Sequence, residues 1–213
     1  VSGYLWQRTG AIAAGRVVGI LRSADAESAV AAGEALVSAG ITVVEVSLVT
    51  PGALDAIRTL AATPDGRMVG AGTVLDEASA RLAILAGATF LVCPTVVPEV
   101  IACGNRYGVP VLAGAQTPTE AVRAAEFGAA LVKLFPAGEL GPAYLKAVRA
   151  ALPHIGFVPT GGITGDNAGE WFAVGAVAVG VGGSLTSGAP ESIRSRVTDF
   201  LAGLGDGMDQ SGG

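Results

Sequence analysis

Lys133 stands in the run Leu131-Val132-Lys133-Leu134-Phe135-Pro136, and Glu45 in Val43-Val44-Glu45-Val46-Ser47-Leu48. Each is a lone charge in an apolar stretch of strand character. Residues two apart share a strand face, so Lys133 faces with Leu131 and Phe135, and Glu45 with Val43 and Ser47. An ammonium is costly to bury in such company, and burial favours the neutral amine. A neutral amine attacks a ketone to form an imine. A carboxylate nearby moves protons at a carbon next to that imine, directly or through a water. The plain alternative is an ion pair between Glu45 and Lys133 that serves stability alone. The two readings are compatible, because a nearby acid also positions the amine. Lysine is scarce here: Lys133 and Lys146 stand against eleven arginines. Lys146 lies in a helical stretch, Tyr144-Leu145-Lys146-Ala147-Val148-Arg149, and is expected in solvent.

Three glycine-rich turns follow strand-like runs: Gly70-Ala71-Gly72-Thr73, Thr160-Gly161-Gly162-Ile163 and Gly180-Val181-Gly182-Gly183-Ser184. The last two follow the seventh and eighth runs, where parallel barrels commonly hold a phosphate on backbone N–H groups. No Walker lysine follows them, so a nucleoside triphosphate is not suggested. Arg22 ends the first run and is a candidate for an anion at the rim. Cys93-Pro94-Thr95 ends the fourth, where Cys93 reads as a packed thiol. His154, the single histidine, precedes the seventh run and so falls at the end of a barrel opposite the chemistry. One histidine and two separated cysteines, Cys93 and Cys103, leave little for a metal site or a disulfide framework, and no cofactor is expected.

The elements that must position these residues recur along the chain. Eight short apolar runs appear: Val17–Leu21, Ile41–Leu48, Met68–Val69, Thr89–Val92, Val109–Leu112, Ala129–Phe135, Phe157–Val158 and Val177–Val179. Most have the roughly 4–8 residues of a buried strand. Ala- and Glu-rich segments of helical spacing lie between them: Asp25–Ser38, Leu54–Leu60, Glu77–Leu85, Glu99–Arg106, Glu120–Glu126, Ala143–Ala151 and Asp166–Val174. Gly40, Gly87, Gly108, Gly128 and Gly175 each follow a helical segment, where a glycine ends a helix in the left-handed conformation. Thr117-Pro118-Thr119-Glu120 is a capping box, and Ser23 with Asp25 and Glu27 a looser cap. The pattern predicts a parallel (β/α)8 barrel, a TIM barrel, with an N-terminal helical extension; a doubly wound open sheet is the alternative. Residues 1–213 read as one barrel domain, and the Gly-, Asp- and Ser-rich stretch 203–213 as a disordered tail.

Half the residues are hydrophobic and 15% charged, yet no run reaches the roughly 18 apolar residues of a membrane span. The first twenty residues, with Arg8 and Arg16 around short Ala-rich pieces, make a poor signal peptide. Net charge is −5 with no basic block, which excludes a clustered phosphate-neutralising face for nucleic acid. A cytoplasmic protein is expected, without a nucleic-acid or membrane partner.

Six motifs then align in order over about residues 17 to 190: Val44-Glu45-Val46-Ser47-Leu48, Val69-Gly70-Ala71-Gly72-Thr73-Val74, Thr117-Pro118-Thr119-Glu120, Val132-Lys133-Leu134-Phe135-Pro136-Ala137, Phe157-Val158-Pro159-Thr160-Gly161-Gly162-Ile163 and Gly182-Gly183-Ser184. With them the chain resembles the aldolase family that cleaves 2-keto-3-deoxy-6-phosphogluconate and 4-hydroxy-2-oxoglutarate. The resemblance implies a metal-free class I lyase, a homotrimer of barrels, that releases pyruvate and an aldehyde, glyceraldehyde 3-phosphate or glyoxylate. It implies that Lys133 forms the imine and Glu45 transfers the proton. It further implies that Thr73 and Thr160 contact the keto acid, Phe135 packs beside the imine, Pro94 lines the pocket, and Gly161, Gly162, Gly183 and Ser184 bind a distal phosphate. Three positions depart from the family pattern: Val49 replaces an arginine frequent in gluconate-type members, Cys93 a serine, and Ala113-Gly114 a Pro-Gly. Arg22 is a candidate to take over part of the anion binding. Two other readings stand beside the aldolase: a phosphate-binding barrel isomerase or epimerase using Glu45 as base, and a barrel trimer that binds a sugar acid without catalysis.

Overall fold

The eight apolar runs form eight parallel strands in a computed structural model that describes residues 3–209. They are β1 (Val17–Leu21), β2 (Val43–Ser47), β3 (Met68–Gly72), β4 (Leu91–Val92), β5 (Val111–Ala115), β6 (Leu131–Leu134), β7 (Phe157–Pro159) and β8 (Val179–Val181). Hydrogen-bonded order runs β7-β6-β5-β4-β3-β2-β1-β8, and a single bridge, Thr160 to Gly180, joins the two ends of the sheet. The result is a nearly closed (β/α)8 barrel. Helices alternate with the strands: α1 (Leu5–Gly15), α2 (Ala26–Ser38), α3 (Ala53–Ala61), α4 (Glu77–Leu85), α5 (Pro98–Arg106), α6 (Pro118–Glu126), α7 (Ala137–Ala151), α8 (Gly165–Ala173), α9 (Gly183–Thr186) and α10 (Pro190–Asp209).

The barrel has two apolar cores, because its strands are covered on both faces. One lies between strands and helices and includes Leu36, Ile57, Ile101, Phe157 and Trp171. The other fills the barrel's interior with Val18, Val43, Met68, Phe90, Leu112, Leu131 and Val158. Ile12 of α1 belongs to this inner cluster, so the expected N-terminal helix plugs the barrel at the end where the strands begin. Polar side chains are thereby left for the opposite end. The glycines expected to stop helices do so in the left-handed region: Gly40, Gly87, Gly108, Gly128 and Gly175 all have φ between 66° and 111°.

Some boundaries move. The cap of α2 is Asp25, whose side chain accepts from the Ser28 N–H at 2.8 Å, rather than Ser23. Thr117 and Glu120 form their capping box as expected. Helix α7 starts at Ala137 instead of Ala143, with a break at Gly141–Pro142. The disordered tail expected from residue 203 meets helix over 203–209; residues 210–213 lie outside the described residues. The reason is tertiary: Ile193, Val197 and Phe200 of α10 are buried, and Leu201 and Leu204 pack against the same core. No helix among the described residues is long and apolar enough to cross a membrane.

Candidate active site

Strand period places the site before any contact is considered. In β2 and β6 the inner-cluster residues Val43 and Leu131 set the phase, and Glu45 and Lys133 are the next inward positions toward the strands' C-terminal ends. Both are buried, at 3% and 7% exposure. Burial raises the Glu45 carboxyl above its ordinary range; the positive charges of Lys133 and, more weakly, Arg22 oppose that rise. These three charges therefore meet at one mouth. No direct ion pair joins Glu45 to Lys133 among the described residues, so the purely stabilising alternative lacks its contact. The Lys133 Nζ instead lies over the Phe135 ring, 5.0 Å from its centroid.

Space for the acid comes from Gly72. A Cβ there would collide with the Glu45 carboxylate, so only glycine lets β3 run past it. Thr73 follows at φ 58°, and its hydroxyl meets that of Ser47 at 2.9 Å. Thr160 is buried at the end of β7, and its Oγ1 packs against the backbone of Gly180. Pro94 is half-buried, with its carbonyl against Gly114. Cys93 is fully buried, and burial pushes its thiol up to about 12, which suits packing and not nucleophilic attack. Arg22 is exposed at the end of β1. His154 is exposed just ahead of β7, at the far end from Lys133, and Lys146 is exposed on α7.

The two late glycine turns lie side by side. Gly161 and Gly162 take φ of 90° and 76° in succession. The first N–H groups of α7 hold this turn: Ala137 donates to the Thr160 carbonyl and Gly138 to that of Gly161, both at 2.8 Å. Asn167 Nδ2 donates to the Gly162 carbonyl at 2.8 Å. Ser184 Oγ donates to Ile163 at 3.1 Å, tying α9 to the same turn. Arg196 of α10 donates to the carbonyls of Leu185, at 3.0 Å, and of Ser187. Gly161, Gly162, Gly183 and Ser184 are thus brought together, as the sequence indicated. Asn167 and Arg196 were not singled out by sequence, because a helix-start asparagine and a helical arginine look like ordinary surface residues. No group of three His, Cys, Asp or Glu side chains gathers among the described residues.

A parallel barrel with an amine, an acid and paired glycine turns at its C-terminal mouth has the build of a barrel enzyme, whose chemistry sits at that end. The family model for KDPG and KHG aldolase matches residues 10–196, and the chain belongs to that family. A probable 2-dehydro-3-deoxy-6-phosphogalactonate aldolase of Rhizobium meliloti is 36% identical over 171 residues, covering 79% of this chain and 81% of that protein. A 2-dehydro-3-deoxy-phosphogluconate aldolase of Treponema pallidum is 39% identical over 159 residues, covering 74% and 76%. Among solved structures, the KDPG aldolase of Legionella pneumophila with pyruvate captured as a covalent carbinolamine superposes with a TM-score of 0.80 at 29% identity, covering 93% of this chain and 96% of that one.

Proposed function

We propose that the protein is a class I aldolase that cleaves a 2-keto-3-deoxy sugar acid phosphate, or 4-hydroxy-2-oxoglutarate, to pyruvate and an aldehyde through an imine on Lys133. The observation that carries the reading is the placement of Lys133 and Glu45 in one buried mouth, electrostatically coupled yet not paired. The neutral Lys133 amine adds to the C2 ketone, and the carbinolamine hydroxyl leaves as water with a proton from the Glu45 carboxyl, giving a protonated imine and the Glu45 carboxylate. Glu45 as carboxylate takes the proton of the C4 hydroxyl. The C3–C4 bond breaks, its electrons neutralise the imine nitrogen, and the aldehyde departs. The resulting enamine takes a proton at C3 from Glu45; water then releases pyruvate and the neutral amine, and the proton set free returns to the Glu45 carboxylate. Burial raises the carboxyl, which makes the Glu45 carboxylate a stronger base toward the C4 hydroxyl than an ordinary carboxylate.

Thr73 and Thr160 contact the keto acid in this reading, Phe135 covers the imine, Pro94 lines the pocket and Arg22 guards the rim. Gly161, Gly162, Gly183 and Ser184 bind the distal phosphate on backbone N–H groups, with the Ser184 hydroxyl committed to the Ile163 carbonyl that tethers the two turns. The assembly is a homotrimer. Support comes from a groove of about 600 Å³ between the β2–α3 connection and α4, lined by Val49, Leu54 and Leu82. Val49 and Leu82 are 56% and 52% exposed in the single chain, which is unusual for apolar groups gathered in one groove. A cytoplasmic site fits two buried, unpaired cysteines.

Incubation with pyruvate and borohydride tests the central step. A reduced pyruvyl group is expected on Lys133, read by peptide mass spectrometry. Lys133→Ala is expected to lose both adduct and turnover, and Lys146→Ala to keep both. An adduct on Lys146, or pyruvate release by Lys133→Ala near the wild-type rate, overturns the reading. A panel of phosphorylated and unphosphorylated 2-keto-3-deoxy acids then fixes the substrate.

A further inference from the structure

Thr73 carries a backbone conformation that β-branched residues rarely adopt, with φ at 58°. Two backbone bonds bracket it: Leu48 N–H donates to the Gly72 carbonyl at 2.8 Å, and Val74 N–H to the Val92 carbonyl at 3.1 Å. Strain of this kind collects where a side chain must be aimed. The residue that meets the aimed hydroxyl is Ser47, the last residue of β2 and two positions beyond Glu45 on the same inward face. Ser47 has no exposed surface, and Thr73 Oγ1, at 2.9 Å, is the one side-chain partner of its hydroxyl among the described residues.

We infer that Ser47 is a positioning residue whose buried hydroxyl donates to Thr73 Oγ1 and so leaves the Thr73 proton free for the carboxylate of the keto acid. The direction follows from satisfiability. A buried hydroxyl has one proton to place, and an unplaced donor carries its full desolvation cost. If Thr73 donated to Ser47, the Ser47 proton would have no acceptor among its hydrogen bonds in the described residues, and Thr73 would present lone pairs to an anionic substrate group. With Ser47 donating, both protons are used: one between the hydroxyls, one toward the carboxylate. Chains of this kind also polarise the outer hydroxyl and strengthen its bond to an anion. The inference rests on the reading that Thr73 contacts the keto acid.

The test compares two ketones in the borohydride assay on the full-length protein. Pyruvate has the carboxylate; acetone lacks it but still condenses with an amine. Ser47→Ala is expected to raise the half-saturating pyruvate concentration about tenfold, the scale of one hydrogen bond to a charged group. The rate of inactivation with acetone is expected to stay at the wild-type value. Ser47→Cys, nearly the same size with a weaker donor, is expected to show the same selective loss in smaller measure. Thr73→Val is expected to weaken pyruvate trapping by itself, and adding Ser47→Ala to it is expected to change nothing more. Equal losses with both ketones, no loss with either, or additive losses in the double variant overturn the role of Ser47. Normal pyruvate trapping in Thr73→Val overturns instead the contact assigned to Thr73, a result distinct from any obtained at Ser47.

Discussion

In the proposed reaction Glu45 holds a proton in one half and gives it up in the other, and its surroundings fit that demand at a cost to stability. Burial raises its carboxyl; the charges of Lys133 and Arg22 limit the rise. Between the ordinary carboxyl range and the raised value, the folded protein binds more protons here than the unfolded chain does. The contribution is therefore fully present at acid pH and is lost as pH rises through the folded value. Glu45→Gln cannot ionise, so its melting temperature is expected to exceed that of the wild type at about pH 8 and to converge on it at about pH 4. Loss of proton transfer is expected to lower kcat by about 10²–10⁴-fold. A variant less stable than the wild type at the higher pH, or one that keeps its kcat, counts against the acid's assignment. Sequence made this residue visible because a lone acid in an apolar strand is rare. Thr73 and Pro94 carried no such signal: a threonine and a proline at strand ends are common, and composition does not record the positive φ of Thr73.

Elements of middle length were readable where local chemistry agrees with the tertiary answer. Helix α4 begins and ends at the residues its spacing predicts, Glu77 and Leu85, and α6 opens on the capping box read at Thr117. Shorter and longer pieces escaped. Helix α9 has four residues, too few for any periodicity to show. Helix α10 carries Ile193, Val197, Phe200 and Leu204 at helical spacing, yet its later glycines and aspartates suggested a tail. Packing against α2 and α8 overrides that composition. The turn after β7 depends on such element-to-element holding, and Gly162 is its tightest point. Its φ is 76°, and a Cβ there would come 2.9 Å from the Gly138 Cα. Gly162→Ala is expected to cost about 1–2 kcal/mol of stability through the left-handed backbone alone. If this turn binds the distal phosphate, KM for a phosphorylated substrate rises at least tenfold while pyruvate trapping at Lys133 keeps its half-saturation. Parallel loss in both measurements would place Gly162 in the keto-acid pocket instead.

At the scale of the whole molecule, the division of labour is between a sealed end and an open one. Ile12 and the inner apolar cluster close the barrel where strands begin, and the polar set of Glu45, Ser47, Lys133 and Thr160 gathers where they finish. The eight-fold alternation that produces this division was legible in the sequence, because the strands are short apolar runs and five of them, β2, β4, β5, β6 and β8, are preceded by a glycine that ends the helix before. What alternation cannot disclose is which part of the helical ring is left uncovered, since a leucine on an amphipathic helix is counted as core by default. Leu82 is such a residue: it lies on α4 but is 52% exposed, beside Val49 and Leu54 in the groove above α3. Leu75, just ahead of α4, is 57% exposed as well. Seating a neighbouring copy on this groove would remove that apolar surface from water, at roughly 25 cal/mol per Å². A charge placed there faces water in the single chain and would be buried without a partner in a trimer seated on this groove, so Leu82→Glu is expected to penalise association alone. Light scattering is expected to give the wild type three times the chain mass of 21.0 kDa, and Leu82→Glu the mass of a single chain at the same concentration. Borohydride trapping of pyruvate at Lys133 reports whether each barrel of the variant is still intact. A wild type that runs as a single chain removes the trimer, and a Leu82→Glu variant that keeps the wild-type mass moves the interface to another face of the barrel.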